Sequence, residues 1–339
     1  MTNLYEDIKV LLPVQCCGEH DAKVTLTEAF ECLSDRLNSH SSTISKSVCA
    51  DVKTLCSTIL ECFDYAYSGN HTKAYENLSE WLVKLSYFKP FIAEGESFYR
   101  MRLREESKQL TYTDMMPIPD DKRYLVKTQR FSMPGLPCLY LGSHANACWE
   151  EMHRPPIGSC MINRYEVIRK FQVISLEIPT EEAFNADIDN YLRIFPLIMA
   201  CMVKVADYHD PYKSAYLIPQ LIMEWLTTYN GATIQDLKGV RYTSVHINEQ
   251  FGYPQEAFNN LALPVPGIKS PSFAKPLSDL FKLTEPTCEE YERIKFHLGP
   301  DTICWDAFET PEGRYEYSLW GRLEEYLSDV EQFPLKGMG

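Results

Sequence analysis

Through residues 1–90 the apolar positions recur every three or four residues, and beyond Pro90 that rhythm breaks. Leu26, Ala29, Phe30, Leu33 and Leu37 fall on one helical face, with Thr25 and Glu28 spaced as a capping box in front of it. Val48, Val52, Leu55, Ile59 and Phe63 repeat the spacing, and Gly69-Asn70 supplies a stop. A third run places Ala74, Leu78, Trp81, Leu82 and Leu85 inward and ends before Pro90. Three amphipathic helices in succession predict an all-helical N-terminal bundle over residues 1–92. It carries no evident chemistry and reads as a structural or partner-binding cap.

After Pro90 short β-like runs appear at Tyr124–Val126, Cys138–Leu141, Phe171–Ile178 and Val240–Val245. Helical stretches lie between them at Asn146–Met152, Ile188–Lys204 and Tyr216–Tyr229. This alternation predicts an α+β core over residues 93–266. Pro264, Pro266, Pro271 and Pro276 mark an extended stretch. The remainder, 267–339, is expected to pack on the core, with helical runs at Cys288–Phe296 and Tyr317–Asp329.

Composition narrows the function classes. The 339 residues are 45% hydrophobic and 24% charged, ordinary for a folded protein. A formal net charge of -14 argues against a chain held on nucleic acid or an anionic membrane by bulk charge. The segment Met1–Val14 lacks the basic start and long apolar centre of a signal peptide, and no apolar run reaches membrane-spanning length. A cytoplasmic location with reduced thiols is expected. Cys32, Cys56 and Cys62 read as small buried apolar residues. Cys16, Cys17 and His20 lack the paired spacing of a zinc site, so no metal is expected.

Candidate chemistry gathers in a few places. From Gln129 to Ser143 the chain runs Arg130, Phe131 and Ser132, then a Pro134-Gly135 turn, then a β-run ending in Tyr140. Gly135 suits a backbone that other residues resist. Ser143 is placed to cap the next helix. That helix carries Glu150 among Ala147, Cys148 and Trp149, where a carboxylate is costly unless paired or used, while Glu151 is expected to face solvent. Tyr99-Arg100 precedes this block, and Gly239-Val240-Arg241-Tyr242-Thr243-Ser244 follows it. His144 reads as a surface residue near the helix start; His209 and His246 carry no assignment.

Taken in order, these pieces resemble the RES-domain family, named for its Arg, Glu and Ser. The aromatic–Arg pair is Tyr99-Arg100, the Arg block with Gly-x-Pro and Leu-Tyr-Leu runs from Arg130 to Leu141, and the helix with its Glu runs from Ser143 to Glu150. Pro219-Gln220, the strand to Ser244, and Asn260-Leu261-Ala262-Leu263 complete the pattern over residues 95–266. Small members of the family are much shorter, so the N-terminal helices and the C-terminal extension are additions.

The resemblance implies a compact core related in fold to ADP-ribosyltransferases. It also implies an enzyme that breaks the bond between nicotinamide and ribose of NAD. NAD is then a consumed substrate, and no cofactor or metal is called for. Glu150, Arg100, Tyr140 and Ser244 would be catalytic, and Arg130, Ser132, Tyr99, Arg241 and Asn260 would bind substrate. Arginines suit the pyrophosphate, an aromatic ring suits the pyridinium, and a carboxylate suits the positive charge that develops on the ribose. The acceptor is left open among water, phosphate and a protein side chain. Two other readings stay in play: a protein ADP-ribosyltransferase, and a degenerate, non-enzymatic interaction module. An NAD-consuming enzyme endangers its own cell, so restraint by an inhibitory partner, by self-assembly or by an infection signal is expected, in a toxin or phage-defence setting.

Overall fold

A computed structural model describes residues 3–16, 20–84, 90–104, 110–229, 237–247, 249–250, 253–265, 275–288 and 315–335. Its helices are α1 (Leu4–Lys9), α2 (Ala22–Ser39), α3 (Lys46–Tyr67), α4 (His71–Lys84), α5 (Ala145–Glu151), α6 (Glu181–Ala186), α7 (Ile188–Cys201), α8 (Leu217–Tyr229), α9 (Lys275–Ser278) and α10 (Leu319–Asp329). Its strands are β1 (Phe91–Ile92), β2 (Ser97–Leu103), β3 (Cys138–Gly142), β4 (Cys160–Val167), β5 (Phe171–Leu176), β6 (Leu237–Thr243), β7 (Glu249–Gln250), β8 (Tyr253–Pro254), β9 (Asn259–Pro264), β10 (Phe281–Thr284) and β11 (Gln332–Pro334). Helices combined with antiparallel strands make the protein α+β. Two compact units interleave along the chain. One holds residues 1–90, 127–133 and 173–240; the other holds 91–126, 134–172 and 241–339. The sequence reading draws consecutive segments instead. Among the described residues no helix is long and apolar enough to cross a membrane.

The first unit is helical. In α3 the side chains of Val48, Val52, Leu55, Ile59 and Phe63 are buried, as their spacing predicts. Each such side chain contributes about 1.5–3 kcal/mol by leaving water. The helix starts where Ser45 Oγ accepts the Val48 N–H. Helix α3 packs on α2, α4 and α7, and α4 packs on α8, so the N-terminal helices share a core with helices from the middle of the chain. Some local expectations are corrected. Asp21, not Thr25, caps α2: its carboxylate accepts the Lys23 N–H, and Thr25 lies inside the helix. Trp81 is half-buried and Cys32 is exposed, while Leu85 lies outside the described residues.

The second unit carries six consecutive strands in the order β9-β3-β2-β4-β10-β11. The longest register runs antiparallel from Ser97↔Glu166 to Leu103↔Cys160. Residues Tyr124–Val126 form no strand: they end a 3-10 turn and its cap, with Tyr124 81% exposed. The expected helix at Cys288–Phe296 falls almost wholly outside the described residues. Within the proline-marked stretch, Lys275–Ser278 forms a helical turn, which tolerates Pro276 in its first residues. Helix α5 lies on β2 and β3, and α10 lies on α5 and β4. Tyr99, Met101, Ala145, Cys148, Trp320, Leu323 and Leu327 form the shared apolar cluster. Contact at β3 is close: a Cβ on Gly142 would meet Cys148 Sγ at 2.8 Å and the His144 carbonyl at 3.1 Å. Gly135 has φ of +80°, the left-handed backbone that its turn was expected to need.

Candidate functional site

In antiparallel strands, residues directly opposite each other share a face. Tyr99 lies opposite Gly142, Gly142 opposite Asn260, and Tyr140 opposite Ala262. Tyr99, Tyr140, Gly142 and Asn260 therefore line one face, the face that α5 covers. Tyr99 is packed there among apolar neighbours, and burial pushes its hydroxyl pKa up.

Helix α5 has only seven residues and begins at His144, which caps it with no side-chain bond. Ser143, expected in that role, is used elsewhere. Its Oγ accepts the Asn259 N–H at 3.0 Å and donates to the Ala257 carbonyl at 3.3 Å, tying the end of β3 to β9. The N-terminus of α5 is instead served from α10: Glu324 Oε1 accepts the Ala145 N–H at 2.5 Å and the Tyr315 hydroxyl at 2.5 Å. Burial pushes the Glu324 carboxyl up to about 8. His144 is not a surface residue: its ring packs on Phe258 and Tyr315, and burial pushes it down to about 4, so it is neutral at neutral pH.

Two carboxylates leave this helix in directions about 100° apart. Glu150 is buried, as the sequence suggests, and its Oε2 accepts from Arg154 Nε at 2.8 Å. Glu151 is only partly exposed, and its carboxylate is engaged by the sheet. Its Oε1 accepts from Ser244 Oγ at 2.8 Å and from Asn260 Nδ2 at 2.7 Å. Its Oε2 faces His246 Nε2 at 3.7 Å. Ser244 and Asn260 are themselves buried and fixed: the Ser244 N–H donates to the Phe258 carbonyl at 2.9 Å, and Gln255 Nε2 donates to the Ser244 carbonyl at 3.0 Å. The pair of donors on one oxygen orients the carboxylate.

The structure thus brings Ser244 and Asn260 together, on the sheet face that also carries Tyr140, but around Glu151 rather than Glu150. Arg100 stands on the opposite face of β2, across from Asn163 and close to the Tyr165 hydroxyl, and its Nη1 is buried without a hydrogen-bond partner. Arg241 donates to Glu96 Oε1 at 2.8 Å and sits over the Phe98 ring. Arg130 and Ser132 belong to the helical unit. There Arg130 Nη1 donates to the carbonyls of Cys201 and Val203, both at 2.9 Å, and its guanidinium lies over Tyr216. Gln220 Nε2 donates to the Gln129 and Ser132 carbonyls, which steadies that turn. His246 was left without a role by the sequence, and its only signal was its place two residues after Ser244. Among the described residues no group of three or more His, Cys, Asp or Glu is placed to hold a metal ion. His20 Nδ1 pairs with Asp210, and Cys17 lies outside the described residues.

Comparison with known proteins agrees with this arrangement of motifs. The chain is similar to "Putative toxin YopC" of Bacillus subtilis (strain 168), 30% identical over 251 residues that cover 68% of this chain and 55% of that protein. It therefore spans about half the length of that curated relative. No solved structure gives a match. The family model for the RES domain matches residues 98–274, which contain Arg100, Arg130, Tyr140, both carboxylates of α5, Ser244 and Asn260. The chain belongs to the RES-domain family.

Proposed function

We propose that this protein consumes NAD by cleaving the bond between nicotinamide and ribose, and that Glu151 is the carboxylate that carries the reaction. The observation behind this reading is the single oxygen, Glu151 Oε1, that takes hydrogen bonds from both Ser244 and Asn260. With Oε1 saturated, Oε2 is the oxygen available to a ribose hydroxyl. When the C1′–N bond breaks, its electron pair goes to nicotinamide and positive charge develops on the ribose, as in glycoside hydrolysis. A fixed, partly desolvated carboxylate stabilises that charge. Tyr140, on the same sheet face, supplies an aromatic plane for the pyridinium ring. The family resemblance implies that an arginine holds the pyrophosphate, while Arg100 stands on the sheet face opposite to Tyr140 and Asn260.

The relative carries the name "Putative toxin YopC", and NAD loss would fit such a setting. We therefore also propose that an inhibitory partner restrains the activity in its own cell. Purified full-length protein incubated with NAD, with and without phosphate, tests the reaction by chromatography of the products. Nicotinamide released by the wild type and lost in Glu151→Gln supports it. The companion product separates hydrolysis, phosphorolysis and transfer to protein. No nicotinamide under any of these conditions overturns it.

A further inference from the structure

His246 reaches Glu151 by two routes. Through the backbone, its N–H donates to Ser244 Oγ at 3.2 Å, and that hydroxyl donates onward to Glu151 Oε1. Through the side chain, its Nε2 faces Glu151 Oε2 at 3.7 Å. Val245 and Ile247 on either side are buried, Ile247 against Ala147 and Phe258, which fixes the segment that carries His246. The ring also meets His153 edge-to-face, centroids 5.2 Å apart at 84°, and His153 is held by a left-handed backbone, φ 60°, just past α5. Among the described residues, the charged groups on the elements around this pair are Glu150 and Glu151 from α5, Arg154 after it, and Glu256 from the turn at Gln255–Ala257. Glu150 pairs with Arg154, and Glu151 Oε2 faces the imidazole directly.

Resting on the reaction proposed above, we propose that His246 is a positioning residue for Glu151 and sets the acid limit of activity. Neutral imidazole leaves Oε2 to the substrate. Imidazolium, formed by taking a proton from solvent, pairs with Oε2 and withdraws the charge that the ribose needs. Histidine changes charge in the range where such a limit would be felt.

Two measurements on the full-length protein test this. Imidazole resonances are titrated by NMR in wild type and in Glu151→Gln, with His246 assigned by its loss in His246→Gln. The expected result is a His246 midpoint lower by about half a pH unit or more without the carboxylate. In parallel, nicotinamide release is followed from acid to alkaline pH. His246→Gln is expected to lose or shift the acid limb of kcat, with KM changed less than about twofold. His246→Asn serves as a second variant, and matching melting temperatures exclude misfolding. A His246 midpoint unmoved in Glu151→Gln overturns the pairing. A moved midpoint with an unchanged acid limb overturns the catalytic role. A wild type that releases no nicotinamide overturns the proposed reaction and the catalytic role with it, while the titration still decides the pairing.

Discussion

Glu151 Oε1 and Ser244 Oγ lie 2.8 Å apart, although 93 positions separate the two residues in sequence. A hydrogen bond to a carboxylate is worth more than one between neutral groups, about 1.5–3 kcal/mol. If Ser244 serves to aim Glu151, Ser244→Ala should lower kcat about tenfold to a hundredfold, with a smaller effect on KM. Equal losses in kcat and KM, or none, would show that the hydroxyl does not act through the carboxylate.

The adjacent carboxylates are expected to separate cleanly by substitution. Glu151→Gln should reduce kcat by about a hundredfold or more, since the charge proposed to face the ribose is gone. Glu150→Gln keeps the volume of a buried side chain and removes the charge that faces Arg154. It should retain activity within about a few-fold while changing thermal stability modestly. Steady-state kinetics of both variants side by side decide the point; the reverse pattern would return the role to Glu150.

Glu324 should leave a signature in the dependence of stability on pH. Burial raises its carboxyl from the usual 4.5 to about 8 in the folded protein. A folded-state pKa above the unfolded one means that the native state holds a proton which the unfolded chain has released. Its contribution is therefore fully present below pH 4.5 and is lost progressively as pH rises towards 8. Against Glu324→Gln, the wild type should lose up to about 1.4 kcal/mol per pH unit across that window. Urea unfolding of the two proteins at a series of pH values measures the difference, and parallel curves would place the carboxyl outside this account.

Gly142 offers a test that touches no reacting group. A Cβ there would collide with Cys148 Sγ and with the backbone at the start of α5. Gly142→Ala should destabilise the protein by about 1–3 kcal/mol and displace the helix that bears Glu151. The melting temperature and kcat should fall together, whereas a stable variant of normal activity would show that the approach of α5 to β3 is slack.

How far the sequence could be read depends on the range of the interaction concerned. Helix α3 was legible because its buried residues repeat at local spacing. Strand β4 was not, because it is buried along most of its length: its run Cys-Met-Ile-Asn shows no alternation to mark it as a strand. Tyr124–Val126 has strand-like residues but no partner strand, and it stays in an exposed turn. At the site, Ser244 and Asn260 were marked by motif, yet nothing local distinguishes Glu150 from Glu151. In a helix of seven residues the apolar neighbours do not define which direction leads to Ser244. The parts played by Ser143, Glu324 and His246 rest on contacts with distant segments, which a reading by periodicity does not reach.

The bond from Ala145 N–H to Glu324 spans 179 positions. Glu324 also lies beyond residue 274, where the RES-domain match ends. During synthesis the ribosome makes the helix of Glu151 long before it makes the residue that closes that helix's first turn. The nascent chain therefore passes through a stage in which every residue of the proposed cluster has been made while the start of α5 still lacks Glu324. Translation speed therefore sets an interval between the making of the proposed cluster and the closing of the first turn of α5 by Glu324.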